Sequence, residues 1–308
     1  MLWTLLLAVA ATAALVLALD YALPQWMARR WLGLERARSG LRLGHAAVPG
    51  FTMPYLDGGT GEPLVLVHGF GGDKDSFTRI ARFLTPRFRV VAPDLPGFGD
   101  AGRDPQARYH IDAQVERLRA FLGELGLGAV HLGGNSMGGF IAAQYAASYP
   151  ESVRSLWLLD AAGAARARDT PLIGRYLKTG EMPLLVRAEA DYAELLRAVA
   201  HRMPPLPHSL RRVLARRAVA DFELHRRIFR EIGIESPPLD ARYGTIRAPT
   251  LIVWGREDRI LNPAAGEDMR AAIPRSRLLV MDATGHLPMI ERPRATASAF
   301  VDFLASPP

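Results

Sequence analysis

The feature that most constrains this chain is a glycine-rich segment with one serine at its centre, Gly133-Gly134-Asn135-Ser136-Met137-Gly138-Gly139. It follows an apolar run typical of a strand, 129–132, and precedes one typical of a helix, 140–147. A serine at such a junction crosses a very sharp turn, so residues two positions away on each side must lack bulk. Gly134 and Gly138 meet that requirement. The pattern is that of a nucleophile elbow, and a glycine-rich turn whose serine has no chemical role would show the same five residues.

Apolar runs of strand length alternate with segments of helical spacing along most of the chain. A hairpin is predicted over 41–56, with its turn at Pro49-Gly50. The further predicted strands are 62–68, 88–92, 129–132, 155–159, 249–255 and 276–281, and the predicted helices are 76–84, 111–125, 140–147 and 287–304. This alternation predicts an α/β fold whose central sheet is mostly parallel and is covered by helices on both faces.

The alternation stops between the predicted strands 155–159 and 249–255. Over 161–243 no strand-like run occurs, prolines cluster at Pro204-Pro205-Leu206-Pro207 and at Pro237-Pro238, and the segments between them have helical spacing. A segment of roughly 80 residues is too long for a structureless loop. We therefore predict a helical insertion in an α/β core.

An uncharged apolar run, Met1 to Leu19, begins the sequence. As a helix it would be about 28 Å long, which just spans the hydrocarbon core of a bilayer. It lacks a preceding basic residue and a clean small-residue cleavage site, which favours a retained anchor over a cleaved signal peptide. Aromatic residues and then arginines follow, namely Tyr21, Trp26, Trp31, Arg29, Arg30, Arg36, Arg38 and Arg42. This order predicts a bacterial inner-membrane anchor with the following domain in the cytoplasm.

The net charge of +7 comes from arginine, because Lys74 and Lys178 are the only lysines. The arginines are spread along the chain without an aromatic-plus-basic recognition pattern, so we do not expect a nucleic-acid partner. Attraction to an anionic membrane surface stays open. The chain has no cysteine, which excludes disulfides, thiol catalysis and cysteine-ligated metals.

A serine hydroxyl needs a neutral imidazole to take its proton and a carboxylate to orient that imidazole. Asp258 follows the strand that ends at Trp254-Gly255, and His286 follows the next strand. Since the carboxyl ends of parallel strands lie at one edge of a sheet, we expect both side chains near Ser136. The rival acids are Glu257, Asp160 and Asp282.

The oxyanion that develops on an attacked carbonyl needs two preorganised N–H donors. The backbone amide of Met137 follows the nucleophile directly. The second candidate is the amide of Phe70, in a loop that Gly69, Gly71 and Gly72 allow to come close. An ordinary turn would read the same, but the preceding strand and the distance from the elbow favour the oxyanion role.

Over residues 60–305 the chain resembles the α/β-hydrolase superfamily. The resemblance rests on His68-Gly69-Phe70-Gly71-Gly72, Pro93-Asp94-Leu95-Pro96-Gly97-Phe98-Gly99, Gly134-Asn135-Ser136-Met137-Gly138-Gly139, Gly255-Arg256-Glu257-Asp258 and Gly285-His286. The chain order Ser136, Asp258, His286 is the order expected there. Within the superfamily, the chain looks like bacterial lipases and esterases and like membrane-anchored monoacylglycerol lipases.

The resemblance implies a helical cap and a two-step acyl-enzyme mechanism. We expect an anchor and juxtamembrane segment at 1–30, a core at 31–160 and 244–308, and a cap at 161–243. We expect no cofactor and no metal, a small lipophilic ester as substrate, and a membrane contact through residues 1–19. The sequence does not indicate an oligomeric state.

The leading hypothesis is a serine carboxylester hydrolase, a lipase or esterase of the monoacylglycerol-lipase type, that acts on lipophilic acyl esters. The alternative is a carbon–carbon bond hydrolase of aromatic ring-cleavage products, whose members resemble this elbow but usually carry tryptophan where Leu287 stands. Epoxide hydrolases and dehalogenases use aspartate in place of Ser136. A non-catalytic interaction protein on the same fold would have no chemical reason to keep Ser136, Asp258 and His286 together.

Overall fold

Eight strands form one sheet in the computed structural model, which describes residues 1–308. The strands are β1 Leu41–Val48, β2 Phe51–Gly58, β3 Glu62–Val67, β4 Phe88–Pro93, β5 Val130–Asn135, β6 Val153–Leu159, β7 Thr250–Gly255 and β8 Ser276–Met281. Their order in the sheet is β1-β2-β4-β3-β5-β6-β7-β8. Strand β2 runs antiparallel to both of its neighbours, and every pair from β4 to β8 is parallel. The predicted α/β class with a mostly parallel sheet is therefore confirmed.

Twelve α-helices accompany the sheet. They are α1 Leu2–Ala22, α2 Pro24–Arg38, α3 Thr78–Ala81, α4 Ile111–Glu124, α5 Met137–Ser148, α6 Pro171–Thr179, α7 Tyr192–Val199, α8 His208–Ala220, α9 Phe222–Phe229, α10 Ala265–Ala272, α11 Pro288–Glu291 and α12 Pro293–Ala305. Two of the predicted helices differ from the helices of the structure. The segment predicted as 76–84 is a 3-10 turn, Lys74–Phe77, followed by the short α3, and the closing helix is interrupted at Arg292, because Pro293 starts a new one.

Alternate residues of β3 face two different apolar clusters, as the two faces of a buried parallel strand require. Val65 and Val67 belong to a cluster that includes residues of α4, α5 and α10. Leu64 and Leu66 belong to a second cluster, with residues of α3 and α12. The loops at the carboxyl edge of the sheet are therefore held on a core that is packed on both sides.

Between β6 and β7 the chain forms the four helices α6 to α9 and no strand. Two contacts place this segment next to the carboxyl edge of the sheet. The backbone N–H of His286 donates to Val199 O at 3.0 Å, and Arg217 of α8 pairs with Asp73 at 3.1 Å, directly after the Gly71-Gly72 loop. On these contacts we propose that 161–243 is a cap that divides the core into 31–160 and 244–308.

Helix α1 is the one helix that is long and apolar enough to cross a membrane. Its side chains from Leu2 to Ala18 are exposed, whereas Asp20 near its end is buried. The Asp20 carboxylate accepts hydrogen bonds from Trp31 Nε1 at 3.0 Å and from both the hydroxyl and the backbone N–H of Ser209 in α8. A carboxylate at a helix N-terminus is stabilised by the free N–H groups and the helix dipole. The end of α1 is thus fixed to the first turn of α8.

Helix α2 is fixed to the core as well. Arg36 makes two hydrogen bonds to the Asp75 carboxylate, at 2.7 and 2.6 Å, and Ser39 Oγ donates to Thr78 O at 2.6 Å. Bidentate arginine–carboxylate pairs are the geometrically specific kind of ion pair. Both contacts reach the segment that follows the loop after β3.

Lys74 in this segment is a fully buried charge. Its ammonium group donates to Asp94 at 2.7 Å and to Asp100 at 2.6 Å, and Asp94 also accepts the backbone N–H of Lys74 at 2.7 Å. Burial lowers the pKa of Lys74, but the two carboxylates outweigh that effect and the net shift is upward. Lys74 therefore stays charged and joins the loop after β3 to the loop after β4.

We expect Lys74→Met to lower the free energy of unfolding by about 3–5 kcal/mol, because it leaves the buried Asp94 carboxylate without its counter-charge. Urea unfolding followed by circular dichroism measures the change. Lys178→Met is the matched control, since Lys178 is exposed on α6 and should change stability by no more than about 0.5 kcal/mol. Equal losses in the two variants would contradict the role given to the buried pair.

Candidate active site

Ser136 lies between β5 and α5 with a backbone φ of 55°. Such a conformation costs a non-glycine residue roughly 1–3 kcal/mol and persists only where the surrounding structure imposes it. The surroundings are tight. A Cβ atom at Gly134 would lie 2.2 Å from Gly138 O, and one at Gly138 would lie 2.1 Å from Val67 O. Both positions therefore admit only glycine, as the sequence predicts for an elbow.

His286 and Asp258 form a buried acid–base pair at the same edge of the sheet. His286 Nδ1 lies 2.8 Å from Asp258 Oδ2, and both residues are less than one-tenth exposed. The carboxylate also accepts the Trp254 indole N–H at 3.1 Å and the backbone N–H groups of Ile260 and Leu261 at 2.8 and 3.1 Å. Because Asp258 can only accept here, Nδ1 carries the proton and Nε2 is left as the base.

The other acids that the sequence offered have different partners. Glu257 accepts the backbone N–H of Thr284 at 2.8 Å. Asp282 is exposed and pairs with Arg256. Asp160 is buried close to Asp258, and its Oδ1 accepts the backbone N–H of Gly255 at 2.8 Å. Only Asp258 hydrogen-bonds the imidazole.

Asn135 joins the elbow to the histidine loop, a role that sequence reasoning missed. Its side-chain amide donates to Leu159 O at 3.1 Å and to His286 O at 3.0 Å. The only signal in the sequence was a polar residue at the end of a strand of apolar residues and glycines. The hydrogen bonds of the structure include none from Ser136 Oγ, and catalytic hydrogen bonds often form only once a substrate is bound.

The orientation of the Phe70 amide is determined by His68. The backbone N–H of Leu95 donates to His68 Nε2 at 3.1 Å, so the ring proton must lie on Nδ1, which donates to Gly69 O at 2.8 Å. Burial lowers the pKa of His68, which keeps the ring neutral. Gly72 N–H donates to the same Gly69 oxygen at 3.1 Å. Since C=O and N–H point in opposite directions in a trans peptide, the Phe70 N–H points away from His68.

The Met137 amide is oriented in the same way. The Ser136 carbonyl accepts the N–H groups of Phe140 and Ala162, both at 3.0 Å. The Met137 N–H of that peptide therefore points in the opposite direction, and as the first residue of α5 it has no partner within the helix. Gly69 packs against the nucleophile, because a Cβ there would lie 3.2 Å from Ser136 Cβ. Two peptide groups of fixed orientation, Gly69–Phe70 and Ser136–Met137, thus lie at the elbow.

Apolar side chains from the proposed cap and from the loop after β4 pack on Phe70. Its ring centroid lies 5.4 Å from that of Phe229 and 5.5 Å from that of Phe98. Phe229 belongs to an apolar cluster with Ile173, Met182 and Leu185, and Phe70 packs against this cluster. The loop beside the nucleophile is therefore covered by apolar residues. A separate cavity of about 650 Å³ between α6, α7 and the loop after β7 is lined by Asp258 but by neither Ser136 nor His286.

Asp160, Asp258 and His286 are also the three residues whose donor atoms could surround a metal ion, with one atom of each within 4.8 Å of the others. Both oxygens of Asp258, however, already accept hydrogen bonds, four in all. A metal ion bound there would have to displace some of these N–H donors. The donor set suits a hydrogen-bonded acid–base pair better than a metal centre.

Comparison with known proteins agrees with this geometry. A family model described as alpha/beta hydrolase fold matches residues 62–293. Lipase 1 of Psychrobacter immobilis is 38% identical over 275 residues, covering 87% of this chain and 86% of the relative. Monoacylglycerol lipase ABHD6 of Mus musculus is 30% identical over 292 residues, covering 91% and 85%.

Among solved structures, a membrane phospholipase A described as a bacterial virulence factor is 41% identical, with a TM-score of 0.89 and 98% of each chain covered. The predicted resemblance and the predicted enzyme class, a carboxylic ester hydrolase, are confirmed by these relatives. Since the family model covers well over half of the sequence, the chain belongs to the alpha/beta hydrolase fold family.

Proposed function

We propose that the protein is a serine esterase that cleaves lipophilic acyl esters, such as monoacylglycerols or short- to medium-chain acyl esters, through an acyl-enzyme on Ser136. The observation that carries the proposal is the buried pair of His286 and Asp258, at the same edge of the sheet as the strained Ser136. Each element of a serine hydrolase has a residue with matching chemistry there.

In the first step Ser136 Oγ attacks the ester carbonyl while His286 Nε2 takes the hydroxyl proton. Asp258 accepts the Nδ1–H hydrogen bond throughout and stabilises the imidazolium that forms. The N–H groups of Phe70 and Met137 bind the oxyanion. When the intermediate collapses, His286 gives the proton to the departing alcohol and the acyl group stays on Ser136.

In the second step water attacks the acyl-enzyme and gives a proton to His286 Nε2. The same two amides bind the second oxyanion. Collapse of this intermediate releases the carboxylic acid and returns the proton to Ser136 Oγ, so the enzyme regains its starting state. Every proton transfer in the two steps has its donor and its acceptor among Ser136, His286, the substrate and water.

The lipophilic substrate class is supported by the cap. Its cluster of Ile173, Met182, Leu185 and Phe229 packs on Phe70, next to the amide that would hold the oxyanion. Apolar pockets with few polar groups are typical of sites for apolar ligands. The relatives named as lipases and as monoacylglycerol lipase favour the same substrate class.

We further propose that α1 is a membrane anchor. Seventeen consecutive residues, Leu2 to Ala18, expose their side chains although nearly all of these are apolar. A helix with apolar side chains on all sides is covered by lipid or by protein, and at about 1.5 Å per residue its 21 residues span the hydrocarbon core of a bilayer. The exposed Tyr21 and Trp26 follow at the level where aromatic residues meet lipid headgroups.

We expect Ser136→Ala to lower kcat on p-nitrophenyl esters and monoacylglycerols by at least about 10⁴-fold, because the nucleophile is lost. A panel of graded acyl-chain lengths measures kcat/KM, and a fluorophosphonate probe should label the wild type at Ser136. Ser298→Ala, on the exposed face of α12, is the matched control and should keep full activity. Turnover of a ring-cleavage dienoate without turnover of any ester would contradict the esterase assignment.

We expect His68→Ala to lower kcat about 10- to 100-fold with little change in KM, somewhat less than the loss of a whole oxyanion donor. Without the Nδ1–H donor the Gly69 carbonyl keeps only the Gly72 N–H, so the Gly69–Phe70 peptide is held less firmly. His68→Asn should lose less activity, because its amide can still donate to Gly69 O. Both variants lose the acceptor for Leu95 N–H, so the difference between them isolates the effect on the Phe70 amide. Equal kcat values would argue against that effect.

We expect a chain without residues 2–19 to lose flotation with phospholipid vesicles and to keep its activity on a water-soluble short-chain ester within about threefold. Activity should be retained because the deletion spares Asp20, Trp31 and Arg36, which fix the N-terminal helices to the domain. Asp20→Ala in the full chain is the control and should still float. Unchanged flotation of the shortened chain would contradict the anchor. The catalytic domain is predicted to lie on the cytoplasmic side of the membrane. A reporter fused after Pro308 tests that prediction.

A further inference from the structure

A second carboxyl group lies beside the acid–base pair and has no part in the mechanism above. Asp160 directly follows β6, is fully buried, and has a φ of 43°. Its Oδ1 accepts the backbone N–H of Gly255, the last residue of β7. Its Oδ2 is buried and has no hydrogen-bond partner. A buried polar atom without a partner needs a physical explanation.

The environment of Asp160 differs sharply from that of Asp258. One oxygen of each carboxyl group and one ring nitrogen of His286 lie within 4.8 Å of one another. A nearby like charge disfavours the ionised form of a buried carboxyl group. Asp258 accepts four hydrogen bonds, from His286, Trp254, Ile260 and Leu261, whereas Asp160 accepts one. Asp160 is therefore the member of the pair whose charge would be less compensated.

A proton on Asp160 accounts for the unpaired oxygen. Burial first, then the charge of Asp258, and more weakly that of Glu291 at the end of α11, raise the pKa of Asp160 well above its usual range. A protonated Oδ2 is a donor rather than an acceptor, and the neighbouring Asp258 carboxylate is the acceptor within reach. The positive φ of Asp160 fits this picture, since strained residues cluster where a site imposes their position.

We propose that Asp160 is a positioning residue of the catalytic site: as a neutral acid it donates a hydrogen bond to Asp258, and it becomes the acid that pairs with His286 when Asp258 is removed. The first role holds the Asp258 carboxylate against the imidazole from the side of β6. The second follows from distance, because Asp160 already lies near the His286 ring. The inference rests on the proposed esterase function and concerns the same site.

Four variants of the full chain test it, with kcat, KM and pH profiles measured on one p-nitrophenyl ester. Asp160→Asn mimics the neutral acid, since its amide oxygen can accept from Gly255 and its NH₂ can donate to Asp258. We expect kcat within about threefold of the wild type and an unmoved pH profile. Asp160→Ala removes the donor and should lower kcat about tenfold at unchanged KM.

Asp258→Asn and Asp258→Asn with Asp160→Asn test the second role. We expect the single variant to keep a residual kcat that rises with pH as Asp160 ionises, and the double variant to lose about tenfold more together with that pH dependence. A residual kcat equal in both would overturn the second role. A loss above about 100-fold in folded Asp160→Asn would overturn the first, since the reaction would then need an ionised Asp160.

Thermal unfolding of each variant separates misfolding from a catalytic effect. If Asp160→Ala does not fold, the asparagine variants still decide the question, because they keep the shape of the side chain. Ser136→Ala distinguishes a failure of the esterase mechanism from a failure of the role given to Asp160. Full activity of Ser136→Ala would remove the esterase mechanism itself, whereas its inactivity combined with an adverse outcome above would remove only the role of Asp160.

Discussion

The site depends on how closely three backbone segments approach one another around Ser136. A Cβ at Gly138 would collide with the carbonyl of Val67, and one at Gly69 would crowd the Ser136 side chain. This lack of space brings the end of β3, the end of β5 and the start of α5 together. Two peptide groups then lie beside the serine, and hydrogen bonds to their carbonyl oxygens, made by His68, Gly72, Phe140 and Ala162, fix the direction of their N–H groups. Orientation is thus set before any substrate arrives, which is what electrostatic preorganisation requires.

The ionisable groups near the active site are also buried, and burial restricts which of them can carry a charge. Lys74 and Asp94 are both completely buried and satisfy each other, which spares the region an uncompensated charge. Four donors surround Asp258, whereas Asp160 has one, and burial raises the pKa of Asp160 well above its usual range. The neutral state of His68 follows from burial as well. In each case the surroundings of a buried group, above all the hydrogen-bond donors and charges that face it, determine its protonation state.

The sequence was sufficient to predict the fold class and to choose residues that the structure brings together. Glycine spacing marked the elbow at Ser136, and strand ends selected Asp258 and His286, because both signals are local. The sequence pattern could not predict the long-range contacts. Nothing in the pattern shows that Asn135 donates to His286 O across 151 positions, that Lys74 is buried between two aspartates, or that His68 holds the Gly69 carbonyl. The break at Arg292 could have been found, since a proline follows it.

Only Leu23 separates α1 from α2, and both helices are fixed to the catalytic domain, at Asp20 and at Arg36. The domain is therefore not connected to α1 by a flexible linker. If α1 lies in a bilayer as we propose, the enzyme keeps one orientation relative to the membrane plane. Its active site then cannot rotate to face the bulk solution. Substrate would then be supplied by lateral diffusion within the leaflet, and turnover would follow surface density, in molecules per unit area, rather than the concentration in water.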